Sequence, residues 1–377
     1  MSNYLINPLC VKIFSEANFI KDYEQLVKYE FAIKKSPDEN LDYQQIKKLV
    51  ETAAIFSLSS NPNFQKLALK IAIFLLRQFK DKYKDLSYVL EIILSRLGDL
   101  PTIHHMYMEK DGKDYFSYFP ESQNFDMSFL KFPEILEMKI LNQFEISPEY
   151  ILNLTNFQSR ILHNLLNGQN VSFSAPTSAG KSFVIHNFIS NQILKYDNYN
   201  VIYLVPTKSL IAEVQNSILS ILKQLPIKLS EVAVVNSAER LNTEQYENIG
   251  KRVLVLTQER LQHLLTHNSE FKIDLLIVDE AQKVKEVERG VILEDVVNDI
   301  IAGNPSLQIV FISPFIKNPE KFWRIFNIND NIKDISTSKT PVGQNIFFVQ
   351  LQNKEATVSL LLEEFDRNLV EIEKNIT

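Results

Sequence analysis

The stretch SFSAPTSAGKSF, residues 172–183, decides how this chain is read. Apolar Val171 and Phe173 lead into it, and FVIHNFISNQIL carries on from it with apolar residues at helical spacing. Strand, then a loop of small residues ending Gly180-Lys181-Ser182, then helix is the layout of a phosphate-binding loop. Backbone N–H groups that curl around phosphate oxygens need small side chains, with a glycine where the chain turns tightest. Ala175, Pro176, Thr177, Ser178, Ala179 and Gly180 supply that run. The helix N-terminus adds partial positive charge, Lys181 reaches the terminal phosphates, and the Ser182 hydroxyl is placed to ligate magnesium. The pattern GxxxxGK[ST] is departed from at Ala175, which stands where the first glycine usually does.

Around this loop the sequence alternates helical segments with short apolar runs. VSFS (171–174), VIYLV (201–205), EVAVV (231–235), RVLVL (252–256), DLLIVD (274–279) and QIVFIS (308–313) are compact and rich in β-branched residues. Continuous apolar runs, as opposed to alternating ones, imply strands buried on both faces. The fold class is therefore α/β: a doubly wound parallel sheet, with ligands expected at the carboxyl ends of the strands. Asp279-Glu280-Ala281-Gln282 falls at such an end, directly after DLLIV. A carboxylate there, opposite a phosphate-binding loop, can hold magnesium through water, and its neighbour can orient and deprotonate an attacking water. The plainer reading is an acidic strand end that starts the next helix.

Residues 1–150 read as mostly helical, an accessory or packing domain. Ile46, Leu49, Val50 and Ala53 share one helical face, as do Phe64, Leu67, Ala68, Ile71 and Leu75. HHMYMEKDGKDYFSYF, within residues 104–119, alternates about Asp111-Gly112 and predicts a short hairpin. Residues 151–340 form the expected nucleotide-binding domain. In 341–377, NIFFVQL predicts a strand, and EATVSLLLEEFDRNLVEIEKNI an amphipathic helix with Leu361, Phe365, Leu369 and Ile372 in register.

Composition narrows the class further. With 377 residues, 45% hydrophobic and 23% charged, the chain is long enough for several cores of ordinary globular character. A net charge of -6 excludes a globally basic nucleic-acid binder and leaves room for a local basic groove. The single cysteine, Cys10, excludes an intrachain disulfide and a thiolate metal cluster, and a reducing cytoplasm is the simplest location. No apolar run reaches membrane-span length, so no membrane partner is expected.

The loop at Lys181, VPTKSL (205–210), LTQERL (256–261), VDEAQ (278–282) and FISPF (311–315) resemble, in order and spacing, motifs I, Ia, Ib, II and III of superfamily 2 DExD/H-box helicases. The Ala-Pro-Thr start of the loop is similar to the Ski2-like branch, and FQSR (157–160) to the glutamine motif. The resemblance covers roughly residues 150–350 and implies the first RecA-like domain of such an enzyme, using ATP and Mg2+. On it, Lys181 and the loop backbone hold the phosphates, Ser182 and Asp279 hold the metal, and Glu280 activates water. Gln158 would read the adenine edge, its plainer alternative being a buried structural amide. Pro206, Thr207, Lys208, Thr257 and Arg260 would touch the backbone of single-stranded DNA or RNA without reading bases. Gln282 and Ser313 would couple hydrolysis to strand movement. Departures stand at Gln282, where the branch usually has histidine, and at Ser313-Pro314-Phe315, where Ser-Ala-Thr is usual.

No motif of a second RecA-like domain is found, so the expectation is the ATP-binding portion of a helicase or translocase. Its turnover alone should be weak until a longer chain or a partner protein supplies that domain. A similarity to helicases of bacterial anti-phage systems accompanies this reading. The alternative is a nucleotide-switched module in which ATP controls docking of residues 1–150 to a protein partner, without strand movement.

Overall fold

The six apolar runs form strands of a seven-stranded sheet in the order β5-β6-β4-β7-β8-β3-β9, every adjacent pair parallel; the strand not among those runs is β9, whose sequence IKDIS is partly polar and sits at the sheet's edge. The seven are β3 (Asn170–Ser174), β4 (Tyr199–Leu204), β5 (Val232–Val235), β6 (Lys251–Leu256), β7 (Leu275–Val278), β8 (Gln308–Ser313) and β9 (Ile332–Ser336). The computed structural model describes residues 3–31, 41–79, 82–111, 137–237, 249–267, 271–285, 289–314, 316, 318–337, 346–352, 355–362 and 368–376. The chain divides into two units, residues 143–340 and residues 1–142 joined by 341–377.

In the 143–340 unit, side chains alternate between the two faces of the sheet, and helices cover both. Val171, Phe173, Val201, Tyr203, Val253, Ile277 and Val310 pack with residues of α7 (Asn156–Leu166), α8 (Lys181–Lys195) and α9 (Lys208–Leu222). Ile202, Leu204, Leu254, Leu276, Val278 and Phe311 pack on the other side with α10 (Gln258–His267), α11 (Arg289–Gly303) and α12 (Lys321–Ile325). This is the doubly wound α/β arrangement expected of continuous apolar strands. A small antiparallel pair, β1 (Gln143–Ser147) and β2 (Tyr150–Asn153), precedes α7.

The other unit begins with α1 (Asn3–Phe14), α2 (Ala17–Phe31), α3 (Tyr43–Ser57), α4 (Pro62–Phe79), α5 (Lys84–Arg96) and α6 (Leu100–Asp111). The predicted stripes on α3 and α4 are the buried ones: Ile46, Leu49, Val50, Ala53, Phe64, Leu67, Ala68, Ile71 and Leu75 all belong to its core. Asp42 caps α3 in a reciprocal arrangement with Gln45, which fixes where that helix starts. Gly98, with φ of 72°, follows the end of α5 in the left-handed conformation that stops a helix.

Two sequence expectations are corrected here. Residues 104–111 of the predicted hairpin are helical, part of α6, and the remainder of that segment lies outside the described residues. A helix start was overlooked: Asp99 accepts from the Thr102 amide at 3.3 Å and from its hydroxyl at 2.7 Å, and Pro101 sits in the first turn. The amphipathic helix expected over 355–376 is instead β11 (Glu355–Leu362) and β12 (Asn368–Ile376), paired antiparallel with β10 (Ile346–Gln352) as a three-stranded sheet. Pairing with the strand-forming run IFFVQL overrides the helical spacing of the leucines, because β propensity is set by neighbours more than by the segment itself. Leu360 joins the core of the helices, and Phe347 meets Phe31 edge-on at 5.3 Å.

Helices α8 and α9 share a buried polar contact. His186 Nδ1 lies 2.8 Å from the Ser217 hydroxyl. Burial pushes the imidazole pKa down from 6.5 to about 4. The folded ring is neutral where the unfolded chain would already be protonated, so the stability held above pH 6.5 drains away as pH falls toward 4. Urea unfolding at pH 7 and pH 5 should show wild type losing about 2 kcal/mol more than His186→Leu. Equal losses would mean the ring titrates in the folded state as it does in water.

Candidate active site

The phosphate-binding loop is built from β3 outward. Ser174 ends the strand, Thr177–Ala179 make a short 3₁₀ turn, and Gly180 takes φ 70°, ψ 35° before α8 begins at Lys181. That left-handed turn suits glycine, and a second constraint acts on it: a Cβ at Gly180 would run into Nε2 of Gln158. The Gln158 amide is held at both ends. Its Oε1 accepts from the Thr155 amide at 3.0 Å within a capping box, and its Nε2 donates to the Ala179 carbonyl at 3.2 Å. Its side chain therefore braces the loop, which is the structural role weighed beside adenine recognition.

Lys181 is buried and turned back on its own loop, donating to the carbonyls of Ala175 at 2.7 Å and Pro176 at 3.0 Å. Burial lowers its pKa, and the negative charges of Asp279 and Glu280 oppose that shift. Within the same loop the Ser178 hydroxyl is buried without a hydrogen-bond partner, and Ser182 is exposed at the first turn of α8.

Asp279 follows β7, its amide bonded to the Leu204 carbonyl at 3.0 Å. Its Oδ1 accepts from the Glu280 amide at 2.9 Å and its Oδ2 from the Tyr203 hydroxyl at 3.3 Å. Burial raises the Asp279 pKa, the Glu280 amide works against this, the Glu280 charge adds to it, and Tyr203 and Lys181 lower it. The Tyr203 phenol is pushed well above its ordinary value by complete burial and by the carboxylate beside it, so it remains a hydrogen-bond donor. Glu280 has φ 50°, uncommon for a residue with a side chain, and its carboxylate faces the Lys283 ammonium at 3.8 Å.

The remaining expected residues lie at other carboxyl ends of the sheet. Pro206 and Thr207 lead into α9, which has no side-chain cap; Thr207 lies 2.9 Å from Ser209 Oγ, and Lys208 is exposed. Thr257 opens α10 with its hydroxyl buried and unpartnered, and Arg260 donates to the Asn236 carbonyl at 2.7 Å. The Ser313 hydroxyl donates to the Phe173 carbonyl at 3.4 Å, which ties β8 to the loop strand. Gln282 keeps a buried Oε1 without a partner.

Residues 155–322 match the family described as DEAD/DEAH box helicase. This stretch is a DEAD/DEAH box helicase domain. The chain is 29% identical over 184 residues to the ATP-dependent DNA helicase Hel308 of Aeropyrum pernix, a match covering 48% of this chain and 23% of the relative. It is 24% identical over 226 residues to putative helicase 7 of Sulfolobus islandicus filamentous virus, covering 58% of this chain and 35% of the relative. It is also similar to the solved structure of the DUF1998 helicase MrfA bound to DNA, at 16% identity and a TM-score of 0.42, over 51% of this chain and 28% of that one. The chain thus spans about a third or less of the length of these curated relatives.

The helicase domain's loop fits a nucleotide triphosphate with magnesium. A left-handed glycine, an unpartnered buried hydroxyl on Ser178, and a lysine bonded only to carbonyls are donors in want of anionic acceptors. One serine hydroxyl and one carboxylate suffice for magnesium, which takes much of its coordination from phosphates and water. Tyr203 was missed by sequence reasoning, although a lone hydroxyl in the otherwise aliphatic run VIYLV was a visible signal. Gly180→Ala should destabilise the fold by about 1–3 kcal/mol. Adding Gln158→Ala should give a double variant at least about 0.5 kcal/mol more stable than the sum of the single losses, because the clash is then gone. Additive losses in urea unfolding would show that Gln158 does not confine the glycine.

Proposed function

We propose that this protein is the ATP-binding portion of a superfamily 2 nucleic-acid helicase or translocase. The observation that carries the reading is one of placement: the loop ending at Lys181 after β3 and the Asp279-Glu280 pair after β7 lie at the carboxyl edge of one parallel sheet. Lys181 donates to neutral carbonyls at 2.7 and 3.0 Å. An anionic phosphate is the stronger acceptor for an ammonium group, so binding would exchange those bonds and open the loop around the phosphates. Bound Mg2+ would offset the charge on the phosphate oxygens. Ser182 and Asp279 are the residues to hold it. Glu280, half-exposed and beyond the strand end, is the group to orient the attacking water and take its proton.

The nucleic-acid side of the proposal rests on the uncapped start of α9. There Thr207, the first backbone amides and exposed Lys208 present donors suited to a phosphate backbone of any sequence. At the neighbouring helix start, Arg260 donates to the Asn236 carbonyl and the Thr257 carbonyl accepts from the Leu261 amide. DNA is the first nucleic acid to try, given the name of the Hel308 relative. A second RecA-like domain, in a longer chain or another polypeptide, would contribute the arginine that such reactions need, a group worth about 10³–10⁵ in rate.

The test is ATP binding and steady-state hydrolysis with and without single-stranded DNA or RNA. Lys181→Ala should lose ATP binding by at least about tenfold, and wild-type turnover alone should sit near background. Once the second domain is supplied, single strands should stimulate turnover, and Glu280→Gln should bind ATP normally while losing at least about a hundredfold in rate. Turnover indifferent to nucleic acid, with a protein captured only in the ATP state, would instead support a nucleotide-switched docking module.

A further inference from the structure

Asp279 has both carboxylate oxygens held by the protein, Oδ1 by the Glu280 amide at 2.9 Å and Oδ2 by the Tyr203 hydroxyl at 3.3 Å. The first donor belongs to the next residue and moves with it. The second comes from a different strand, and its position is independently determined. Tyr203 lies in β4 opposite Ile277 of β7, and Asp279, one alternation further along, returns to the same face of the sheet. The tyrosine is wholly buried. Its ring stands 5.7 Å from that of His186, which is in turn braced by Ser217 on α9. The hydroxyl is therefore presented from a rigid wall and has little freedom to follow the carboxylate.

We propose that Tyr203 is a positioning residue that sets the plane of the Asp279 carboxylate and so the affinity of the site for magnesium. The inference rests on the nucleotide reading of the site given above. A carboxylate at a strand end turns easily about its last side-chain bond, and a broad torsion of this kind has no strong preference of its own. With Oδ2 anchored from across the sheet and Oδ1 from the following amide, the plane of the carboxylate is fixed. Partners that orient a metal ligand typically alter metal affinity by about 10–100-fold when removed. Tyr203→Phe deletes the hydroxyl alone and keeps the ring against His186.

The experiment follows binding of a fluorescent ATP analogue to the full chain as Mg2+ is titrated from zero. Tyr203→Phe should raise the Mg2+ concentration for half-maximal tightening by about tenfold or more. Binding without metal should stay within about twofold of wild type, and the thermal midpoint without nucleotide should change by less than about 8 °C. In an Asp279→Asn background the same substitution should produce no further shift, since the orientation it controls is already lost. An unshifted Mg2+ midpoint would overturn the proposal. So would an equal loss of affinity with and without metal, or a larger fall in thermal midpoint, either of which makes the hydroxyl a general structural group. If wild type itself showed no Mg2+ response and Lys181→Ala bound the analogue as well as wild type does, the nucleotide reading would fall, and this inference with it.

Discussion

Burial of the parallel sheet on both faces is the constraint from which the rest of the 143–340 unit follows. Val171 and Phe173 face one layer of helices, while Ile202, Leu204 and Phe311 face the other, so neither face can hold an unpaired polar group without cost. Three polar side chains inside the unit show how the cost is met. Ser172 donates to the Pro319 carbonyl at 2.9 Å, Ser190 to that of His186 at 2.9 Å, and Trp323 to Asp334 at 2.7 Å. Where the strands end, loops reach the surface and this restriction lifts. The phosphate-binding loop after β3, the acidic pair after β7 and the start of α9 after β4 all lie there.

At that edge, charge takes over from packing. Lys181 and Asp279 are both disfavoured by desolvation, which lowers the pKa of one and raises that of the other, and each is partly restored by the other's charge. Low local polarizability makes such mutual support strong, and it makes an unmatched ion costly. The loop carbonyls that accept from Lys181 satisfy it without neutralising it. An anionic ligand would do both, which is the physical ground for the proposed nucleotide reading. Gln158 shows the complementary mechanical role: by bonding Thr155 and Ala179 at once, it joins α7 to the loop and occupies the space beside Gly180.

Much of the site was legible in linear order because its elements are local. A small-residue loop between strand and helix, and a carboxylate pair at the end of a buried strand, each carry their meaning within a few residues. Tyr203, His186 and Ser217 escaped because their meaning lies in contacts between elements far apart in the chain: Tyr203 with Asp279, His186 with Ser217. The partner of the Ser313 hydroxyl was hidden for the same reason, since β8 runs beside β3 and offers it the Phe173 carbonyl. The hairpin expected within 104–119 fails over 104–111 more simply: capping by Asp99, a local signal that was overlooked, starts a helix that runs through Asp111.

Taken by itself, the amino-acid sequence determined the apolar strand runs, the helix stripes of α3 and α4, and the order of phosphate-binding loop, acidic pair and helix starts. These depend on periodicity and turn chemistry, which act over a few residues. Only the tertiary structure decided the strand order β5-β6-β4-β7-β8-β3-β9, the pairing that turns residues 355–362 and 368–376 into strands, and the partners of Asp279, Lys181 and Gln158. Those outcomes depend on which distant segments come together, and the free energy that selects them, burial and hydrogen bonding across the sheet, is absent until they do.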